Sequence, residues 1–596
     1  MENPAKGITW NLNDLYASAQ DAKIENDLTS ADLKSIEFEK KYKPLFEKPA
    51  QLSSHHLANL LNDYKAIVTL MRKPMIYAHL SFAEKTNAPG VGAFLQKIQT
   101  KLTDIQAHLL FWEISWSKLD EKAAEKLMNE PALKNDLHLL GQIRKYSPHT
   151  LNEGEEKIMA VKDNTGGSAF SRLFDEIMNN IPFYIEADGK RVKKTEGEIL
   201  NLLHSTDRSE RKEASQSLAE GLKDHTHILT YIYNMILADH RSSLKIRKYK
   251  HPMDSRNLAN EIELETVQRM TQNVKRAYPV AARYYKLKQK LLGLNELYDY
   301  DRYAPIDTEK ETIDFNQCKE IVLSGYDAFS EEVGKVVEQF FDKRWIDAEI
   351  REGKQGGGFC AETTPDLHPY ILVNYTGSMR DVMTVAHELG HGLHQFLARR
   401  AGILESSAPL TMAETASVFG EMLIFETILS REKDRKKKLS LICGKIDDNF
   451  STVFRQICLT DFELLSHETG MKEGELSSDQ LSHFWIKANS EFYGDSVVLT
   501  DEYRHSWKYI PHFVHTPFYC YAYAFAQLFV LSLFQKYKSN QASFVPNYLE
   551  MLALGGSRKP EELAQMVGLD LTDSNFWNSG IKILDDWVKQ AEELAK

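Results

Sequence analysis

The chain has no C-x-x-C pair, and its five cysteines, Cys318, Cys360, Cys443, Cys458 and Cys520, are scattered through 596 residues. That spacing excludes a disulfide framework, which a chain of this length does not need, so they read as reduced, mostly buried thiols. A long clean apolar run is also missing. The nearest candidate, Tyr519 to Phe534, contains Gln527 and several tyrosines, and it falls short of a membrane span. It reads as a buried helix. Nor is there a surplus of positive charge: 85 acidic residues face 73 basic ones, for a formal net charge of −12, which argues against nucleic acid or an anionic membrane as a partner. The one dense basic run, Arg435 to Lys438, reads as a solvated helix end. Met1 to Ser18 lacks the apolar block of a secretory signal, so the expected location is cytoplasmic.

What is present is the balance of a globular protein, with 42% apolar and 27% charged residues and enough chain for about two to four packing units. From Asp27 to Leu140 the apolar residues recur every three or four positions, as in Leu57, Leu60, Leu61 and Tyr64, which predicts helices. Between Ile181 and Thr195 the pattern changes to a strand entering an Asp188-Gly189 turn, a small hairpin. Helical spacing then resumes. This places a boundary near residue 200, with an N-terminal helical domain over 1–200 and a second domain over 201–596. The loop Gly356 to Gly358 reads as flexible, and Tyr370 to Tyr375 as a short strand. The fold class is mostly α with a minor sheet.

That strand leads into Asp381-Val-Met-Thr-Val-Ala-His387-Glu388-Leu-Gly-His391. Val382, Val385, Ala386, Leu389 and Leu393 give the segment a continuous apolar helix face, and Ser378 with Asp381 forms a capping box at its start. Histidines four apart lie one above the other on a helix, so both imidazoles can reach one tetrahedral ion. Glu388 beside them suits a general base that takes a proton from water. A catalytic zinc needs a third protein ligand and an open fourth position, and Glu414 is the candidate. Thr411 to Glu414 is also a capping-box pattern, so the carboxylate has a competing use at a helix start. Glu405 is the alternative ligand. Glu421 can accept a hydrogen bond from a ligand histidine, and His394 reads as a packed or supporting histidine.

His387-Glu388-Leu-Gly-His391, with Met412-Ala-Glu414-Thr-Ala-Ser417 after it and His368-Pro-Tyr-Ile-Leu-Val-Asn374-Tyr-Thr-Gly before it, resembles the oligoendopeptidase F family, relatives of thimet oligopeptidase and neurolysin. The resemblance implies an elongated, mostly helical clamshell with a deep substrate channel and a small sheet near the zinc. It also implies one Zn2+ per chain held by His387, His391 and Glu414, and hydrolysis of internal bonds in oligopeptides. His512-Phe-Val-His515-Thr-Pro-Phe-Tyr519-Cys-Tyr521-Ala-Tyr523 is similar to the family's histidine and tyrosine-rich helix. Phenol or imidazole donors of His512, Tyr519 and Tyr523 would stabilise an oxyanion, provided the helix extends back past Pro517; the alternative is a buried aromatic helix. His368, Tyr370 and Tyr375 are similar to a substrate-binding strand whose exposed edge pairs with a peptide backbone, with Gly357 and Gly358 as a flap beside it. Two further readings stay open: a zinc exopeptidase such as a dipeptidyl carboxypeptidase, and a non-catalytic helical peptide-binding protein. Oligomeric state is not legible from the sequence.

Overall fold

The computed structural model describes residues 3–187, 189–306 and 312–596. Most of them are helical, from Ala22–Glu47 to Ser574–Leu594. The helix Ser54–Glu84 shows how local signals set these elements. The Ser53 hydroxyl accepts from His56 N at 3.2 Å to open it, and Leu57, Leu60 and Leu61 form the fully buried stripe. None of the described helices is long and apolar enough to cross a membrane. All five cysteines are free thiols.

The chain divides into two compact units, each assembled from three separate stretches. The first comprises Met1–Glu153, Lys310–Ser430 and Lys536–Leu569; the second comprises Gly154–Glu309, Arg431–Gln535 and Asp570–Lys596. Residue 200 therefore falls inside the first stretch of the second unit. An aromatic-rich core of Phe38, Tyr42, Trp112 and Trp116 with Leu60 and Leu61 holds the N-terminal helices of the first unit. In the second, Phe174, Phe183, Ile199, Leu218, Leu222 and Ile232 form a corresponding core.

The hairpin belongs to the second unit. Its strands β1 (Phe183–Ala187) and β2 (Lys190–Lys194) pair antiparallel. Asp188 of the expected turn lies outside the described residues, and Gly189 has φ +70°, a conformation that favours glycine. The first unit carries a three-stranded sheet of β3 (Ile346–Asp347), β4 (Phe359–Ala361) and β5 (Tyr370–Leu372) in the order β3-β5-β4.

This order corrects the reading of His368 to Tyr375 as an exposed edge. β5 pairs parallel with β3 and antiparallel with β4, so both of its edges are taken, and its three residues are fully buried. An unalternating Tyr-Ile-Leu-Val run is what a strand covered on both faces requires. The three residues expected to bind substrate there hold the fold together instead. His368 stacks on Trp345 with ring centroids 3.7 Å apart and bonds to Asp14 at 3.0 Å. Tyr370 donates to the Asn11 carbonyl at 3.1 Å, and Tyr375 to that of Ile313 at 3.0 Å.

Candidate metal centre

His387, Glu388 and His391 sit on the helix Met379–Ala398 of the first unit. The Ser378–Asp381 capping box is formed, and the Asp381 carboxylate also accepts from the backbone of Thr376 at 2.9 Å, so the helix start is tied down. Val382, Val385, Ala386 and Leu389 are fully buried and fix the rotation of the helix. That rotation decides where the histidines point.

Glu414 lies between two helices, Leu410–Ala413 and Thr415–Arg431, and its own carbonyl accepts from Val418 N to open the second. The helix Leu410–Ala413 starts at Pro409 with no side-chain cap, so the carboxylate is not used there as a capping partner. It faces the histidines. Its Oε2 is 3.3 Å from His387 Nε2 and 3.3 Å from His391 Nε2, and it accepts from the Ser417 hydroxyl at 2.7 Å. Tetrahedral ligands with bonds of about 2.0–2.1 Å are separated by about 3.3–3.4 Å, so these spacings suit zinc. One ligand atom from each of His387, His391 and Glu414 lies within 4.8 Å of the others, and this is the one such cluster of His, Cys and acidic groups among the described residues. Two imidazoles and a carboxylate also match zinc in chemistry.

The surroundings fix each group. His387 donates from Nδ1 to Glu421 Oε1 at 2.7 Å, which orients the ring and leaves Nε2 for a metal. His394 is buried beside the triad, where burial pulls its pKa down to about 4 and a hydrogen bond ties it to the backbone of Ala413. It is a neutral packed group next to the Glu414 turn. Glu405, the alternative ligand, turns to another task. Its Oε1 accepts from Leu139 N at 3.2 Å and lies 3.4 Å from His138 Nδ1.

Glu388 is 6% exposed, and burial raises its pKa against the pull of His387 and His391. Gly358 borders it: a Cβ at that position would lie 3.2 Å from Glu388 Oε1, so the glycine loop meets the carboxylate with backbone alone. Gly357 has φ +81°, and its carbonyl accepts from the Asn374 amide at 2.8 Å.

The distance between the motif helix and the Glu414 segment depends on Gly390. A Cβ there would stand 2.3 Å from the Ala416 carbonyl oxygen and 2.5 Å from Ser417 Cα. The two backbones touch because no side chain intervenes. The sequence reading gave this glycine no role. Its place between the two motif histidines was the only available sign.

The model described as Peptidase family M3 matches residues 201–583, and one described as Oligopeptidase F matches residues 116–183. The chain belongs to peptidase family M3. A relative named oligoendopeptidase F homolog, from Borreliella burgdorferi, is 27% identical over 98% of this chain and 98% of its own length. A solved structure from Chlamydophila abortus, 24% identical, covers 99% of both chains with a TM-score of 0.87. That of oligoendopeptidase-F from Enterococcus faecium, 21% identical, covers 96% of this chain and 99% of its own with a TM-score of 0.73. These two likenesses establish the mostly helical fold. The M3 family is one of peptidases, so the His-Glu-x-x-His helix stands in a hydrolase.

The charge on His387 ties metal uptake to pH. Burial would lower its pKa, but hydrogen bonds to Glu414 and Glu421 outweigh burial and raise it to about 10. The metal-free imidazole therefore carries a proton at neutral pH, and a metal must displace it. Zinc uptake at pH 7 is expected to release about one proton from this ring, with affinity rising roughly tenfold per pH unit until about pH 10. Calorimetry in buffers of different ionisation enthalpy measures this directly. Zinc binding without proton release would contradict it.

His512, Tyr519 and Tyr523 come together within the second unit, although no continuous helix carries them. The helix His512–His515 ends, Phe518 turns with φ +60°, and a new helix runs over Cys520–Ser539. The break does not separate the rings. His512 Nε2 is 3.3 Å from the Tyr523 hydroxyl, and the rings of Tyr519 and Tyr523 meet edge to face at 4.8 Å. Glu463 accepts from Phe518 N at 2.7 Å and holds the turn, a partner that sequence spacing gave no means of finding.

Proposed function

We propose that the chain is a zinc metalloendopeptidase that hydrolyses internal bonds of short, unstructured oligopeptides. The observation that carries the reading is the convergence of His387 Nε2, His391 Nε2 and Glu414 Oε2, at 3.3 Å along both imidazole–carboxylate edges, beside a buried glutamate in an M3-family chain. When bound by these three groups, zinc would supply a Lewis acid that polarises a carbonyl and makes water acidic near neutral pH. Glu388 takes the proton of the attacking water at its carboxylate and returns it to the departing amine nitrogen. Its raised proton affinity brings donor and acceptor strengths closer at neutral pH, which suits a group that must do both. Glu421 keeps His387 in the tautomer that offers Nε2. Gly358 borders Glu388 with backbone alone, and backbone groups read peptides without regard to side chain. The phenols of Tyr519 and Tyr523 and the imidazole of His512 have the donor chemistry that an oxyanion requires. Free cysteines fit a reducing, cytoplasmic setting.

The names of the relatives favour endopeptidase action over the exopeptidase alternative. A panel of internally quenched peptides of graded length, blocked at both ends, separates the two. Internal cleavage of blocked peptides, lost on chelation and restored by zinc, is expected. A requirement for a free terminus would establish the exopeptidase. Zinc-loaded protein that binds these peptides without cutting them would establish a peptide-binding protein.

A further inference from the structure

Within the second unit, two arginines meet at a small, partly open pocket whose one carboxylate, that of Asp447, has another partner. Arg302 is 4% exposed, and its Nε and Nη1 have no hydrogen-bond partner; the Nε of Arg455 is likewise buried and without one. The Arg302 guanidinium lies over the rings of Tyr303 and Tyr503, 4.6 and 4.9 Å from their centroids. Those faces contribute cation–π attraction but accept no N–H in the plane of the guanidinium. Tyr285, Tyr303 and Tyr493, with Ser451 and Asp447, complete the wall of a cavity of about 10 Å³, room for one water-sized particle.

The nearby acids do not balance these cations. Asp447 is paired with Lys288 Nζ at 2.7 Å, and Lys288 is itself fully buried. Asp299 is close enough to feel Arg302, yet it accepts from Thr500 N at 2.8 Å, and burial raises its pKa. Counting Lys288, Arg302 and Arg455 against Asp447 and Asp299 leaves a surplus of one positive charge, and the Arg302 guanidinium belongs to a buried residue. An uncompensated buried charge is strongly unfavourable. A water molecule would satisfy the N–H groups but not the charge. Sulfate and phosphate are too large for a one-particle cavity and carry too much charge for a surplus of one.

We propose that this cavity is a binding site for one halide-sized monovalent anion, with chloride as the ligand, held by the guanidiniums of Arg302 and Arg455 and ringed by Tyr285, Tyr303 and Tyr493. The rival source of negative charge is the protein itself. Burial raises the pKa of Tyr303, but the two arginines outweigh it and pull the phenol down to about 8, so a phenolate is the internal alternative. The site is not isolated from the rest of the unit, because the charge of Arg455 contributes to the lowered pKa of His512.

The test uses the full-length protein with chloride and bromide as probes. At fixed ionic strength, the unfolding midpoint should rise with the logarithm of chloride concentration above the dissociation constant and stay flat in gluconate. Crystals grown in bromide should show an anomalous peak between Arg302 and Arg455. In Tyr303→Phe, which cannot form the phenolate, both the peak and the chloride dependence should persist; in Arg455→Gln both should be lost. If Arg455→Gln does not fold, the wild-type and Tyr303→Phe measurements decide the matter. Equal midpoints in chloride and gluconate, or bromide crystals with no peak in this cavity, would overturn the proposal. So would a halide response that vanishes in Tyr303→Phe.

Discussion

Glu388→Gln is expected to lower kcat for peptide cleavage by about 10³-fold, near the middle of the range that general acid–base groups contribute. Zinc content should remain at about one per chain, because the amide replaces none of the three ligand atoms. The exchange is nearly isosteric, so the Gly358 backbone beside Oε1 still fits. What is lost is the ability to take a proton from water and hand it on. KM should change little, since in the proposed mechanism Glu388 acts in the reaction and not in holding the peptide. Metal analysis and steady-state kinetics on the same preparation make the comparison. Cleavage within a few-fold of the parent enzyme would remove Glu388 from the proposed chemistry.

Gly390→Ala is expected to have the second largest effect, through geometry. The new methyl group would meet backbone atoms of Ala416 and Ser417 at 2.3 and 2.5 Å, where no flexible side chain can yield, so the two helices must part by about 1 Å. Overpacking of this kind costs about 3 kcal/mol. The larger expected consequence is at the proposed metal site, because Glu414 lies two residues before Ala416 and ligand distances tolerate only about 0.2 Å. Zinc affinity should fall by at least about tenfold, and activity at limiting zinc with it. Gly444→Ala, at a helix position where a Cβ meets nothing within 4 Å, is the control and should behave like the parent. Equal zinc affinity in both variants would contradict the role given to Gly390.

The His-Glu-x-x-His helix was readable because its signals are local: a cap, an apolar stripe and two imidazoles four residues apart. Glu414 was readable as a candidate and the turn residues Gly402, Ser406, Ser407 and Pro409 before it were too, but whether its carboxylate caps a helix or faces the histidines depends on how the two helices pack, which local residues do not encode. The reading of β5 failed for a related reason. Whether a three-residue apolar strand is an edge or a centre depends on partners elsewhere in the chain, here Ile346–Asp347 and Phe359–Ala361. The buried arginines escaped notice because an arginine carries no sequence sign that its partners are missing.

The first unit is assembled from stretches far apart in the chain, which constrains when His387, His391 and Glu414 can be aligned. Tyr548, on a helix near the far end of the chain, donates to the Thr415 carbonyl at 3.2 Å, next to Glu414, and the turn at Gly555 and Gly556 packs against the 405–407 backbone. A ribosome releases His387 long before it releases these supports. During synthesis His387, His391 and Glu414 therefore emerge before the 548–556 backbone that supports them, and the proposed centre can be aligned only once that backbone is out.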